Sequence, residues 1–142
     1  MPSCFLDTNI FLYAAAHQAT DEDEAKRLIA RRLIADADFA VSGQIMQEFY
    51  ANAIKLKPSP LEQQEAADWV ETMAGMANIA VDASLVCEGI AISRRYKISY
   101  WDGAVIAAAN ALGTSTLYSE DLNDGQIYGA VKVINPFKNI SH

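Results

Sequence analysis

Short apolar segments of strand length alternate with longer amphipathic segments along the chain, and this alternation is the feature that most restricts the fold. The strand-length segments are SCFL (3–6), DFAVS (38–42), ANIAV (77–81), STLYS (115–119) and AVKVIN (130–135). The segments predicted as helices are IFLYAAAHQ (10–18), AKRLIARRLIADA (25–37), GQIMQEFYANAIKL (43–56), PSPLEQQEAADWVETMAG (58–75), ASLVCEGIAISRRY (83–96) and YWDGAVIAAANALG (100–113). Strands that are separated by helices favour a parallel sheet with helices on both faces. The predicted fold class is therefore α/β.

Several predicted helix starts carry capping signals. The acidic run DEDE (21–24) opens a basic helix, an order that complements the helix dipole. Ser42 is placed to cap the next helix. Ser59, Pro60 and Glu62 have the pattern of a capping box, which predicts a helix with Pro60 at its first position.

Length and composition indicate one globular unit. The chain has 142 residues, of which 51% are hydrophobic, and it contains no internal repeat or linker-like segment. We expect residues 1–142 to form a single domain. The formal net charge of -7 repels phosphate backbones over the surface as a whole, so any nucleic-acid binding has to be local or assisted by a metal ion.

Nothing in the sequence predicts a secreted or membrane protein. Cys4 and Cys87 form neither a disulfide framework nor a ligand-spaced cluster, and the start MPSCFLD lacks the charged region of a signal peptide. The longest apolar stretch, which starts at Ala104, is far shorter than the roughly 20 residues that cross a bilayer. We expect a cytoplasmic protein.

Four acidic residues follow strands or begin helices at places where α/β sheets bind ligands. Asp7 follows the first strand, Glu48 lies on the helix after the second strand, Asp102 lies near the start of the last helix, and Asp121 follows STLYS. Ligands collect at the carboxyl ends of the strands in such sheets. If the strands are adjacent, the four carboxylates meet and raise one another's pKa values. Mg²⁺ or Mn²⁺ would relieve this repulsion, because both ions prefer oxygen ligands.

The motifs around these acids resemble those of the PIN-domain nucleases. They are FLDTNIFLY, QEFY, YWDGAVIAAA and LYSEDLNDGQ, in this order, and the likeness extends to VINPF near the end of the chain. Within that superfamily the chain is similar to the VapC-type ribonuclease toxins of toxin–antitoxin pairs.

The resemblance implies a three-layer α/β/α sandwich with a central parallel sheet. It places Asp7, Glu48, Asp102 and Asp121 at the acidic metal-binding and catalytic positions, and Thr8, Asn9 and Ser119 at polar positions that line the site. It further implies hydrolysis of RNA with Mg²⁺ or Mn²⁺ as cofactor, a homodimer, and a cognate antitoxin that covers the site.

Each acid also has a structural interpretation that the sequence leaves open. Asp7 can serve as a helix N-cap, although Thr8 or Asn9 can do the same. Glu48 fits a solvated helix face, and Asp102 stands at capping-box spacing from Ser99.

The acid after STLYS has two possible substitutes. Glu120 or Asp124 can replace or assist Asp121, although the NDG turn signal favours a structural role for Asp124.

Basic and aromatic side chains supply further candidates for RNA contacts. The basic residues on helix faces are Lys26, Arg27, Arg31, Arg32, Arg94, Arg95 and Lys97. The aromatic residues that can stack on bases, or instead form core or dimer contacts, are Tyr13, Phe49, Tyr50, Trp69, Tyr100 and Trp101.

Two other function classes compete with the nuclease. A Mg²⁺-dependent phosphotransfer or phosphatase module also places Asp at strand ends, but a phosphatase of that kind needs an acid at position 9, which is Asn9. A non-catalytic domain that binds RNA or a partner in the same pocket is the other alternative. With His17 and His142 as the only histidines, histidine acid–base catalysis is disfavoured.

Overall fold

The computed structural model describes residues 2–17 and 21–138, in which each of the first three strands is followed by two helices and three further strands come last. The strands are β1 (Cys4–Leu6), β2 (Phe39–Ser42), β3 (Ala77–Ile79), β4 (Thr116–Tyr118), β5 (Ile127–Tyr128) and β6 (Val131–Ile134). The helices are α1 (Thr8–Ala15), α2 (Asp21–Asp36), α3 (Gly43–Ala53), α4 (Gln63–Ala74), α5 (Ala83–Tyr96) and α6 (Tyr100–Ala111).

The strands form one mixed sheet in the order β3-β2-β1-β4-β6-β5. All neighbouring pairs are parallel except β5 and β6, which are antiparallel. Helices flank this sheet: α1 packs against α2 and α3, while α5 packs against α6. The predicted α/β fold with a central parallel sheet is confirmed, with an antiparallel strand added at one edge.

The core is centred on β1, whose three residues are all buried. Phe11 of α1 makes edge-to-face contacts with Phe39 and Phe49, at ring-centroid distances of 5.7 and 6.5 Å. Ile106 of α6 is fully buried as well. The aromatic contacts join α1 to β2 and α3. Across the described ranges, no helix is both long and apolar enough to span a bilayer.

The predicted start of α4 is wrong. The helix begins at Gln63 rather than at Pro60, and its N-cap residue, Glu62, makes no side-chain capping bond. Leu61 is buried, and its backbone N–H donates to the carbonyl of Ala53 at 3.0 Å. This bond ties the chain to the end of α3, so the helix starts only beyond it.

Other boundaries differ by a few residues. The first helix ends at Ala15, and His17 lies outside it; the predicted end at Gln18 falls outside the described residues. The last helix ends at Ala111, two residues before the predicted Gly113, whose φ of 72° is in the left-handed region. The predicted Ser42 cap is present, because its hydroxyl accepts from the N–H of Ile45 at 3.4 Å.

Candidate functional site

The site begins where β1 and β4 end side by side. Leu6 is in register with Tyr118, and the N–H of Asp7 donates to the carbonyl of Tyr118 at 3.1 Å. The residues after these strands, Asp7 and Ser119, are therefore brought to the same edge of the sheet, as the strand-end argument predicts.

Asp7 is held at this edge by two hydrogen bonds. Its Oδ1 accepts from the backbone N–H of Thr8 at 2.7 Å, and its Oδ2 accepts from the hydroxyl of Ser119 at 2.7 Å. The side chain is the N-cap of α1, and the residue is only 5% exposed. Asp7 therefore caps α1 while its carboxylate lies at this edge of the sheet.

Glu48 reaches the same place from α3. The hydroxyl of Thr8 donates to its Oε1 at 2.8 Å, which links the start of α1 to the middle of α3. Glu48 is half-buried, so the solvated-surface interpretation does not describe its position.

All four predicted acids line one cleft of about 240 Å³. They are accompanied there by the predicted polar residues Thr8 and Asn9, and by Leu12, Gln44, Asn52 and Trp101. Both polar atoms of the Asn9 amide are buried without a hydrogen-bond partner among the described residues.

Gln44 is a cleft residue that the sequence interpretation missed. It is buried, and its Nε2 donates to the carbonyl of Trp101 at 3.2 Å, joining α3 to α6 next to Asp102. The available signal was its spacing: Gln44 lies four residues before Glu48, so both fall on one helix face.

Asp102 lies in the first turn of α6. The Ser99 hydroxyl accepts from the N–H of Asp102 at 3.1 Å, as expected for a capping residue. Because Asp102 also lines the cleft, its place at the helix start and its place at the site are compatible.

Asp121 enters the cleft from the loop after β4, where its N–H donates to the Ser119 hydroxyl at 3.1 Å. The two substitutes considered for it are engaged elsewhere. Glu120 bonds to Tyr13 and Lys26, at 2.7 and 2.6 Å. Asp124 accepts from the N–H of Asn135 at 2.7 Å and from Lys138 at 3.1 Å.

Burial dominates the electrostatics of Asp7. Desolvation raises its pKa from 3.8 to about 6; hydrogen bonds from Ser119 and Thr8 oppose the rise, and the charges of Asp121 and Glu48 add to it. The pKa of Asp102 is raised in the same direction, by burial first and by Asp121 in addition, while its contact with Ser99 opposes the shift. A negative charge on Asp7 is therefore costly until a cation compensates it.

A pH-dependent stability follows for the metal-free protein. Because the pKa of Asp7 is higher in the folded chain than in the unfolded one, the folded state binds more protons between pH 4 and 6. The Asp7 contribution to stability is thus present below pH 4 and is lost as the pH rises through 6, a loss of about 3 kcal/mol. Thermal melting in EDTA should show that Asp7→Asn is more stable than the wild type at pH 7.5, and that this gap closes by pH 4. Equal melting temperatures at pH 7.5 would contradict the shift.

The donor set suits a hard divalent ion that keeps much of its water. Carboxylate oxygens are the ligands that Mg²⁺ and Mn²⁺ prefer, and Mg²⁺ commonly binds through one or two carboxylates and several waters. Within residues 2–17 and 21–138, no three His, Cys, Asp or Glu side chains are spaced to grip an ion directly. An ion in this cleft would therefore have to be bound partly through water.

Some of the basic candidates are bonded within the fold, and several are exposed. Lys26 is bonded to Glu120, while Arg27 and Arg31 donate to the backbone carbonyls of Ala16 and Ala14 at 2.8 Å each. Arg31 is nevertheless exposed, as are Arg32, Arg94, Arg95 and Lys97. Three of the predicted RNA contacts are thus already used to hold α2 against its neighbours.

Among the aromatic candidates, the exposed one at the cleft is Trp101. It is 62% exposed and lines the cleft beside Asp102. Phe49 is fully buried, with Trp69 packed on it at a centroid distance of 5.9 Å. The core interpretation thus holds for Phe49 and Trp69, whereas Trp101 is available for stacking.

A sequence profile of the PIN domain matches residues 4–126. No curated protein shows significant overall sequence similarity to the chain.

Solved structures with the same fold include toxin and toxin–antitoxin proteins. VapC20 of Mycobacterium tuberculosis, a sarcin–ricin loop cleaving toxin, is 17% identical with a TM-score of 0.67, covering 84% of this chain and 90% of that one. A toxin–antitoxin complex from Klebsiella pneumoniae is 18% identical with a TM-score of 0.65, covering 94% and 98%. VapBC2 from Rickettsia felis, bound to a DNA fragment from its promoter, is 16% identical with a TM-score of 0.58, covering 92% and 96%.

Proposed function

Since this chain belongs to the PIN domain family, we propose that it is a metal-dependent endoribonuclease and the toxin of a toxin–antitoxin pair. The observation that carries the proposal is the cleft itself. Four carboxylates from distant parts of the sequence, Asp7, Glu48, Asp102 and Asp121, line one cavity. Together with the high pKa of the buried Asp7, this arrangement favours the binding of a cation.

Each acid has a distinct proposed role. Asp7, Asp102 and Asp121 would hold one or two Mg²⁺ or Mn²⁺ ions, directly or through water. Such an ion lowers the pKa of water and neutralises charge that develops on a phosphodiester. Ser119 holds one oxygen of Asp7 in place.

Glu48 would ligate the ion or orient the attacking water. Thr8 fixes one of its carboxylate oxygens, and a carboxylate can accept about four hydrogen bonds, so Glu48 retains capacity to accept from a water molecule. In-line attack would leave a 5′-phosphate and a 3′-hydroxyl.

The proposed partners follow from the same family. The Klebsiella structure is a toxin–antitoxin complex, and by analogy we expect a cognate antitoxin that places basic side chains in the acidic cleft. We also expect a homodimer, and a place of action in the cytoplasm, where RNA is accessible.

The direct test is cleavage of total cellular RNA by the purified, antitoxin-free chain. With Mg²⁺ or Mn²⁺ we expect discrete fragments with 5′-phosphate ends, and with EDTA none. Fragments that persist in EDTA would refute the metal dependence. Absence of cleavage with either ion, from protein that melts cooperatively, would favour the non-catalytic RNA- or partner-binding alternative.

Trp101 offers a prediction about substrate binding. Stacking of a base on an exposed aromatic ring contributes about 1–3 kcal/mol, so Trp101→Ala should raise KM for RNA by about tenfold and change kcat much less. Trp101→Phe should retain most of the affinity. The control is Trp69→Phe, because Trp69 packs on Phe49 outside the cleft. An unchanged KM in Trp101→Ala would rule out stacking at this position.

A further inference from the structure

The segment Ser119–Asp121 sends consecutive side chains to different partners. Ser119 is fully buried, and its hydroxyl donates to Asp7 and accepts from the N–H of Asp121. Asp121 lines the cleft. Glu120, between them, does not line the cleft and bonds to α1 and α2 instead.

Glu120 is held by two side chains, Tyr13 and Lys26, which also bond to each other. The Tyr13 hydroxyl donates to its Oε1 at 2.7 Å, and Lys26 Nζ donates to its Oε2 at 2.6 Å. Lys26 Nζ also donates to the Tyr13 hydroxyl at 3.2 Å. The side chains of Lys26 and Glu120 are 15% and 26% exposed, so this ion pair is screened less than a surface pair.

Aromatic rings enclose the Lys26 ammonium. Its Nζ lies 5.0 Å from the ring centroid of Tyr13 and 5.7 Å from that of Phe137. The two rings meet edge to face at 5.1 Å. Partial burial by itself lowers the pKa of Lys26, but the bonds to Glu120 and Tyr13 raise it above its ordinary value, so the ammonium stays charged.

A partly buried ion pair of this kind contributes little net stability compared with apolar side chains of the same size, because both charges lose water. What it does supply is a fixed geometry. Here the bonds to Glu120 connect α1 and α2 to the loop after β4. Glu120 is the residue between Ser119 and Asp121.

We propose that Lys26 and Tyr13 are positioning residues, which hold Glu120 so that Asp121 faces the cleft and Ser119 keeps its bond to Asp7. The inference rests on the proposed function, because it assumes that these carboxylates bind the catalytic ion. Neither Lys26 nor Tyr13 is expected to touch the ion or the RNA.

Positioning and simple charge effects predict opposite results for Lys26→Met. Removal of a positive charge near the cleft would tighten cation binding if only the electric field mattered. Loss of positioning would weaken it, and partners that orient a metal ligand typically change affinity by about 10–100-fold. We expect the Kd for Mn²⁺, measured by calorimetry on the full chain, to rise about tenfold. An unchanged or lower Kd would overturn the proposal.

Tyr13→Phe removes one hydroxyl without changing any charge, so it isolates the geometric effect. We expect a smaller increase in the Kd for Mn²⁺, about threefold, at an unchanged melting temperature. If Lys26→Met does not fold, Tyr13→Phe alone tests the proposal. An unchanged Kd for Mn²⁺ in Tyr13→Phe would then contradict the positioning role. The matched control is Lys138→Met, which removes the Lys138–Asp124 pair of the same region and should leave the Kd unchanged.

A metal-free measurement separates this inference from the proposed function. In both variants the Asp121 amide should exchange its hydrogen faster than in the wild type, because its bond to the Ser119 hydroxyl depends on the segment. Unchanged exchange would overturn positioning even if the chain cleaves RNA. Faster exchange in a chain that cleaves no RNA would refute the nuclease proposal alone.

Discussion

Asp7→Asn is expected to abolish RNA cleavage, by about 10³-fold or more, while the chain remains folded. The expected loss corresponds to about 4 kcal/mol of charge stabilisation, the size of effect that a bound metal ion supplies in phosphodiester hydrolysis. Asp7 is the most buried of the four acids, and it connects to Ser119 and, through Thr8, to Glu48. Its amide keeps the shape of the side chain but removes the charge that attracts the ion.

The measurement is the rate of RNA cleavage with saturating Mn²⁺, combined with thermal melting of the same samples. Asp124→Asn is the matched control, since this acid bonds to Asn135 and Lys138 rather than lining the cleft. We expect the control to cleave at nearly the wild-type rate. Wild-type activity in a folded Asp7→Asn variant would remove Asp7 from the mechanism and with it the proposed site.

The strand-end argument brings the acids together on one condition, that their strands are adjacent, and β2, β1 and β4 are neighbours in the sheet. Apolar runs locate the strands, and parallel pairing brings their carboxyl ends to one edge. Asp7 and Ser119 therefore meet despite a separation of 112 residues. Glu48 follows from the same reasoning, since its helix starts directly after β2.

The contacts that fix these acids were harder to predict. Gln44 and the Trp101 carbonyl are 57 residues apart, and Lys26 and Glu120 are 94 residues apart. Such pairs depend on how helices pack, which hydrophobic periodicity does not specify. The sequence predicts Lys26 only as one of several basic residues on helix faces, because a basic residue on an amphipathic helix has the same local pattern whether or not an acid covers it.

Local sequence signals were also insufficient to predict β5 and the start of α4. β5 has two residues, too few to show an alternating hydrophobic pattern. It is a strand because it pairs with β6. The Ser59–Glu62 pattern is a valid capping signal, but the backbone bond from Leu61 to Ala53 overrides it. In both cases a tertiary contact decides the local structure.

Gly103→Ala is expected to be the most destabilising of the single substitutions considered for this chain. A Cβ at position 103 would lie 2.6 Å from the carbonyl oxygen of Gly89 and 2.9 Å from the backbone nitrogen of Ser93. Both atoms belong to the backbone of α5, so no side-chain rotation can relieve the clash. The helices α5 and α6 must therefore move apart. Overpacking costs about 1–3 kcal/mol or more, and a backbone clash belongs at the upper end. We expect the melting temperature to fall by about 10 °C.

Gly43→Ala is the matched control, because its added Cβ would meet Val81 at 3.5 Å, an ordinary contact, and should change stability little. A Gly103→Ala variant as stable as Gly43→Ala would show that α5 and α6 adjust without cost. The substitution also bears on the site, since Asp102 precedes Gly103 and Trp101 is bonded to Gln44. Separation of the helices should move Asp102 away from Asp7 and weaken Mn²⁺ binding even at temperatures where the variant is folded. Unchanged Mn²⁺ affinity would mean that the Gln44 bond holds the start of α6 independently of the packing of α5.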